Sequence, residues 1–241
     1  MDSVNYPPVV MLIIFGSLIA CGGGLLGWAF ALRRRQRRDN QHESLLLSLF
    51  PVPVKVSQRP TCWIAIRSVS PEAVQHALGL NHIQPCSWSS GLSGDHGFFI
   101  SPRIHGWVIV TGTALPTPTD DVDATFIFLA ALSRRLGHVQ YFYASRLLHH
   151  HAWARLDDGC VTRAYAWTGE TVWNQGPITL PETETGVRTF AYGDTAATIL
   201  DAEVNFEKVS ALAARWSLDP AEIKLNSLRQ SIGIAGESAF I

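Results

Sequence analysis

The sequence predicts an α+β fold: one N-terminal transmembrane helix, then a mostly antiparallel sheet with helices packed on one side of it. Three observations predict it. Residues 9–32 run for 24 positions without a charge, and Arg33, Arg34, Arg35, Arg37 and Arg38 follow at once. Beyond them, short β-rich stretches and capped helical stretches alternate without the regular strand–helix repeat of a parallel α/β fold. Two β-rich runs also flank Asp157-Asp158-Gly159, a hairpin signal.

The apolar run is long enough to cross a bilayer core, which needs about 20 residues in helix. It does not read as a cleaved signal peptide. Residues 1–8 carry Asp2 and no basic residue, and the basic cluster lies on the far side of the run. Arginines on that flank hold it in the cytoplasm. The expectation is therefore an anchor over residues 1–38 in a bacterial inner membrane, with the N-terminus outside and the remainder cytoplasmic. Trp28 and the five arginines are the expected membrane-surface residues, an indole and cations at headgroup level. Gly16, Ala20 and Gly24 repeat at a spacing of four, which lets another helix approach closely and offers the anchor a protein partner.

Residues 39–60 read as a linker with Pro51, Pro53 and Pro60, and residues 61–241 as a single domain. Within 41–241 there are 14 Lys and Arg against 18 Asp and Glu, a net of −4, which argues against a nucleic-acid partner. Cys62, Cys86 and Cys160 are unclustered, which fits neither a disulfide framework nor a zinc site.

In order, residues 61–67 read as a strand and 70–78 as a helix, with Ser70 as N-cap, Pro71 in the first turn and Gly79 as stop. Residues 84–96 read as a Ser/Gly-rich loop. Residues 97–101 and 106–113 read as strands. Residues 120–136 are a helix with an acidic first turn, Arg134 and Arg135 in the last turn and Gly137 after it. Residues 138–143 are a strand, 147–156 and 160–168 the hairpin, 169–203 mostly loop with Trp173 as an anchor, 204–216 a helix and 219 onward a short helix. The tail from Ser231 carries little pattern.

With a three-residue loop, Leu156 pairs with Cys160, so Trp153 faces Arg163, His151 faces Tyr165 and His149 faces Trp167. One face then holds His149, His151, Trp153, Arg155, Arg163, Tyr165 and Trp167, and the other Ala152, Ala154, Ala164 and Ala166. Trp, Tyr and Arg are the types enriched at binding hot spots, so the first face is the expected binding surface, with Trp153 and Arg163 as a cation–π pair. The competing readings are a solvated sheet face and a second core layer with snorkelling arginines. His149 and His151 alternate as ligands on a strand can, but no motif fixes a third ligand, whether Asp157, Asp158 or His138. No HExxH, paired CxxC, GxSxG or phosphate-cradling loop occurs, so no metal, cofactor or catalytic residue is assigned. Cys86 beside Trp88 reads as a core thiol, with a nucleophile–histidine pair as the weaker alternative.

The strings CWIAIRS at 62–68, PCSW at 85–88, GWVIVTGTALP at 106–116, LSRRLGHVQYF at 132–142, HAWAR at 151–155, RAYAW at 163–167 and WSLDP at 216–220 resemble a family of uncharacterised bacterial proteins. The resemblance implies a bacterial domain and carries no activity. The functional expectation is a non-catalytic, membrane-anchored protein-binding or accessory subunit of a bacterial membrane complex. The alternative is a membrane-tethered enzyme or small-ligand sensor, its site between the 147–168 hairpin and the 86–96 loop.

Overall fold

The computed structural model describes residues 59–67, 70–194, 199–223 and 232–238, all in the unit Val56–Ile241. The expected anchor, Trp28, the five arginines and the linker up to residue 58 lie outside the described residues. Among the described residues no helix is long and apolar enough to cross a membrane.

Local chemistry sets most elements. Strand β1 is Cys62–Ile66. Helix α1, Pro71–Leu78, starts where the Ser70 hydroxyl accepts from the Ala73 N–H and stops at Gly79, left-handed at φ 61°. Helix α3, Val122–Leu136, starts at the Asp121 carboxylate, which accepts from the Ala124 N–H at 2.9 Å. Between them, 84–96 is not a loop. Strand β2 spans Leu80–Cys86 and a short helix α2 spans Trp88–Leu92, capped by Ser87. The five middle residues of β2 are exposed, so it has no apolar alternation for a sequence reading to detect.

Strands β3 (Phe98–Ile100), β4 (Val108–Thr111) and β5 (His138–Ser145) follow, then the hairpin β6 (His150–Asp157) and β7 (Cys160–Trp167). The 169–203 stretch holds strand β8, Thr171–Gln175, and helix α4, Leu180–Thr185. Helix α5 is Ile199–Trp216, and Pro220–Glu222 forms one 3-10 turn.

The tail supplies strand β9, Gly233–Ser238, which lies inside the sheet between β2 and β3 and pairs with both. Its glycines hide it from a propensity reading but permit its place. A Cβ at Gly233 would sit 2.5 Å from the Ile100 carbonyl and from the Phe99 ring. The nine strands run β2-β9-β3-β4-β1-β5-β6-β7-β8, every pair antiparallel.

Helices cover both faces of this sheet, not one. Helices α1 and α3 pack on the face of Ile64, Val110, Tyr141 and the hairpin alanines. Helices α2 and α5 pack on the face of Trp63, Phe142, Trp153, Tyr165 and Trp167. The central strands are the reason: β4 and nearly all of β1 and β5 are buried residue after residue, so both faces need cover.

The hairpin register departs from expectation in two steps. The loop has two residues, Asp158 at φ 49° and Gly159 at φ 84°, the paired positive angles of a type I′ turn, so Asp157 pairs with Cys160. A bulge then shifts the register again, leaving Thr162 extra, with its hydroxyl donating to the Arg155 carbonyl. Trp153 lies opposite Tyr165, Arg163 opposite Arg155, and His151 opposite Trp167. Two single shifts restore parity, so residues 163–167 keep their expected faces, and only Cys160 and Val161, which lie between the shifts, change side.

Because β9 bridges β2 to β3, a chain ending at Ile232 would expose two strand edges and open the core beside Phe98 and Phe99. We predict that this truncation abolishes cooperative thermal unfolding followed by circular dichroism. An unchanged transition would show that β9 is dispensable.

Candidate functional site

The expected binding face is interior. His151, Trp153, Arg163, Tyr165 and Trp167 are each at most 1% exposed. His149 sits in the turn before β6 at φ 53°, and Arg155 is half-buried opposite Arg163. The correction has a specific cause: helix α4 and the segment after it close over this face and bring a carboxylate with them. Glu182 Oε1 accepts from Trp153 Nε1 at 2.7 Å and Arg163 Nε at 2.8 Å. Its Oε2 accepts from the Thr179 N–H and hydroxyl, while the Thr179 hydroxyl accepts from the Glu182 N–H, a complete capping box. Trp153 and Arg163 thus converge on one carboxylate rather than on each other. Arg163 Nη1 reaches Asn174 Oδ1 at 2.8 Å and the Ala164 carbonyl at 2.9 Å.

His151 is held in the same layer, stacked on Trp153 with ring centroids 5.8 Å apart. Its Nε2 accepts from Asn205 Nδ2 on α5 at 3.0 Å, and Asn205 also clamps both the N–H and the carbonyl of Arg188. Burial pushes the imidazole down to about 3, so it is neutral at physiological pH. His138 and Asp157 pair with each other at the other end of β6, far along the strand from His149 and His151. Among the described residues no three His, Cys, Asp or Glu side chains converge as a metal site requires.

One cleft open to solvent, of about 320 Å³, lies at one end of the central strands. Antiparallel pairing puts the start of β1 beside the ends of β4 and β5, so Cys62, Thr111 and Tyr143 meet there. Residues 59–61 enter along one wall. Ser93 and Gly94, just after α2, form another, and Thr113, Leu115 and Thr117 complete it.

The wall is rich in hydroxyls and built on inner bonds. Thr111 donates to the Gly91 carbonyl at 3.2 Å and Thr113 to the His96 carbonyl at 3.3 Å. Tyr143 accepts from Thr119, whose hydroxyl also contacts His150 Nδ1 at 3.0 Å. Burial pushes the Cys62 thiol up to about 12, so this sulfur stays protonated and is no nucleophile near neutral pH. Arg59 pairs with Asp219 at 2.9 Å.

Close to this wall, Cys86 belongs to the core cluster with Trp88, and its sulfur lies 3.4 Å from His96 Nε2. Ser90 Oγ lies 3.5 Å from the same nitrogen.

Sequence reasoning missed Glu182, although Thr179-Leu180-Pro181-Glu182 carries the capping-box spacing with a proline in the first turn. It also missed Asn205 and the cleft, whose parts come from four separate segments and share no motif. No family model, curated protein or solved structure matches the chain.

The lowered His151 pKa fixes a pH dependence. Above about pH 6.5 the ring is neutral folded or unfolded and contributes no slope. Between 6.5 and about 3 the unfolded chain takes a proton that the fold refuses, so stability falls as pH falls, by ~1.4 kcal/mol per unit. The melting temperature of the full chain in mild detergent should drop through that window. In His151→Gln, which keeps an acceptor for Asn205, the drop should be markedly shallower; equal slopes would contradict the assignment.

Proposed function

We propose that this protein is a single-pass, membrane-anchored binding subunit of a bacterial inner membrane, non-catalytic, with its domain on the cytoplasmic side. The observation that carries the binding half is the hydroxyl-lined cleft at the point where the chain enters the domain, next to Arg59. Its volume lies at the lower end of the range for small-ligand pockets, and its polar groups come from several elements held by internal hydrogen bonds. Such a wall is preorganised rather than assembled on binding.

The membrane half rests on the uncharged run 9–32 and the five arginines behind it. In this reading the aromatic and arginine side chains of the hairpin build the scaffold, and the cleft, not the hairpin, meets the ligand. A protein partner is reached through the small-residue stripe at Gly16, Ala20 and Gly24.

Two measurements test the proposal. A green fluorescent protein fused after Ile241 should fluoresce, and alkaline phosphatase at the same place should be inactive; the reverse pattern would overturn the topology. The dialysable fraction of a bacterial cytoplasm should raise the melting temperature of the full chain in mild detergent, and Thr113→Val, at an exposed position in the cleft wall, should remove the rise. A rise that survives the substitution would place the ligand elsewhere.

A further inference from the structure

We infer that the cleft takes a neutral polyhydroxylated small molecule, which it holds by accepting hydrogen bonds from the ligand's hydroxyl groups; the inference rests on the cleft being the binding site. Four hydroxyl donors of the wall are already committed. Thr111 gives its proton to the Gly91 carbonyl, Thr113 to the His96 carbonyl, and Thr117 to the Asp120 carboxylate at 2.8 Å. The Ser93 proton is claimed by the Ser90 carbonyl at 2.6 Å or the Asp95 carboxylate at 2.7 Å. A hydroxyl has one proton and two lone pairs. Four hydroxyls that spend their protons inward therefore present acceptors to whatever enters.

That pattern selects against charge of either sign. An oxyanion needs donors, and although the buried Nε of Arg59 has no hydrogen-bond partner, the charge of this guanidinium, the wall's one cation, is already offset by Asp219 at 2.9 Å and Glu207 at 3.9 Å. A cation would find no carboxylate among the lining residues and would face that guanidinium. A neutral polyol brings one donor per hydroxyl, and its C–H faces match Pro60, Leu92 and Leu115 in the same wall. The buried Thr111, 2% exposed, fixes the floor of this acceptor set.

The test uses the full chain in a detergent without a sugar headgroup, and isothermal titration with myo-inositol, glucose and mannitol as neutral probes. Glucuronate and glucosamine serve as charged counterparts of similar size. Saturable binding of at least one neutral probe is expected, with both charged counterparts at least tenfold weaker. Ser93→Ala and Thr113→Val, both at exposed positions, should each weaken it about tenfold while the ligand-free melting temperature holds. Binding of glucuronate or glucosamine in preference to the neutral probes would overturn the inference and leave the cleft as a binding site. If none of the five probes binds, the inference fails. The cleft reading then stands only where the cytoplasmic fraction still shifts the melting temperature and Thr113→Val removes the shift.

Discussion

One carboxylate holds the second face of the sheet shut. Glu182 accepts from Trp153, Arg163 and both the backbone and the hydroxyl of Thr179, and is itself 1% exposed. Burying a guanidinium on a strand whose facing residue is Arg155 is unfavourable without an opposite charge. The capping box of a six-residue helix supplies that charge and aims it at the sheet. Seating α4 there covers Trp153, and the chain that follows brings Phe190 against Trp167 at 4.9 Å and to the clamp that Asn205 makes on Arg188. The interior position of the hairpin's aromatic residues follows from this ion pair together with the apolar side of α5, whose Val209, Leu212 and Ala213 share their cluster.

The sheet's outer strands are blunted by different means. On β2, His82 adopts a left-handed φ of 49°, the ladder to β9 shifts register between Asn81 and Gln84, and Pro85 has no N–H to offer. On β8, the Tyr192 hydroxyl accepts from the Asn174 N–H at 2.7 Å and lies 3.4 Å from its carbonyl. Bulges, prolines and side-chain caps of this kind discourage strand addition.

Much of the fold was legible because it is written locally. Ser70-Pro71 with Gly79, and Asp121 with Arg134, Arg135 and Gly137, mark two helices through capping and dipole chemistry that needs no partner. The hairpin's two faces were legible as well, since side-chain parity survived two compensating register shifts. Which face meets solvent was not. Tryptophan, tyrosine, histidine and arginine compose a binding surface and a buried polar layer equally well, and the deciding residue, Glu182, lies 19 positions beyond Arg163 and 29 beyond Trp153. β9 was illegible for the opposite reason: Gly233 and Gly236 weaken its intrinsic strand preference, and its place comes from pairing on both sides. The cleft has no signature at all, because threonines, serines and glycines from distant segments read individually as turns.

The central claim, that the hairpin's arginine–tryptophan face is a core locked by Glu182, is tested most directly by a double-mutant cycle on the full chain in mild detergent. Arg163→Met and Glu182→Leu are made singly and together, and unfolding free energy is measured. Each single change strands a buried charge and should cost ~3–5 kcal/mol, whereas the double variant, which strands neither, should be more stable than either single one. Singles within about 0.5 kcal/mol of the unsubstituted chain, as expected for an exposed pair, would contradict the account.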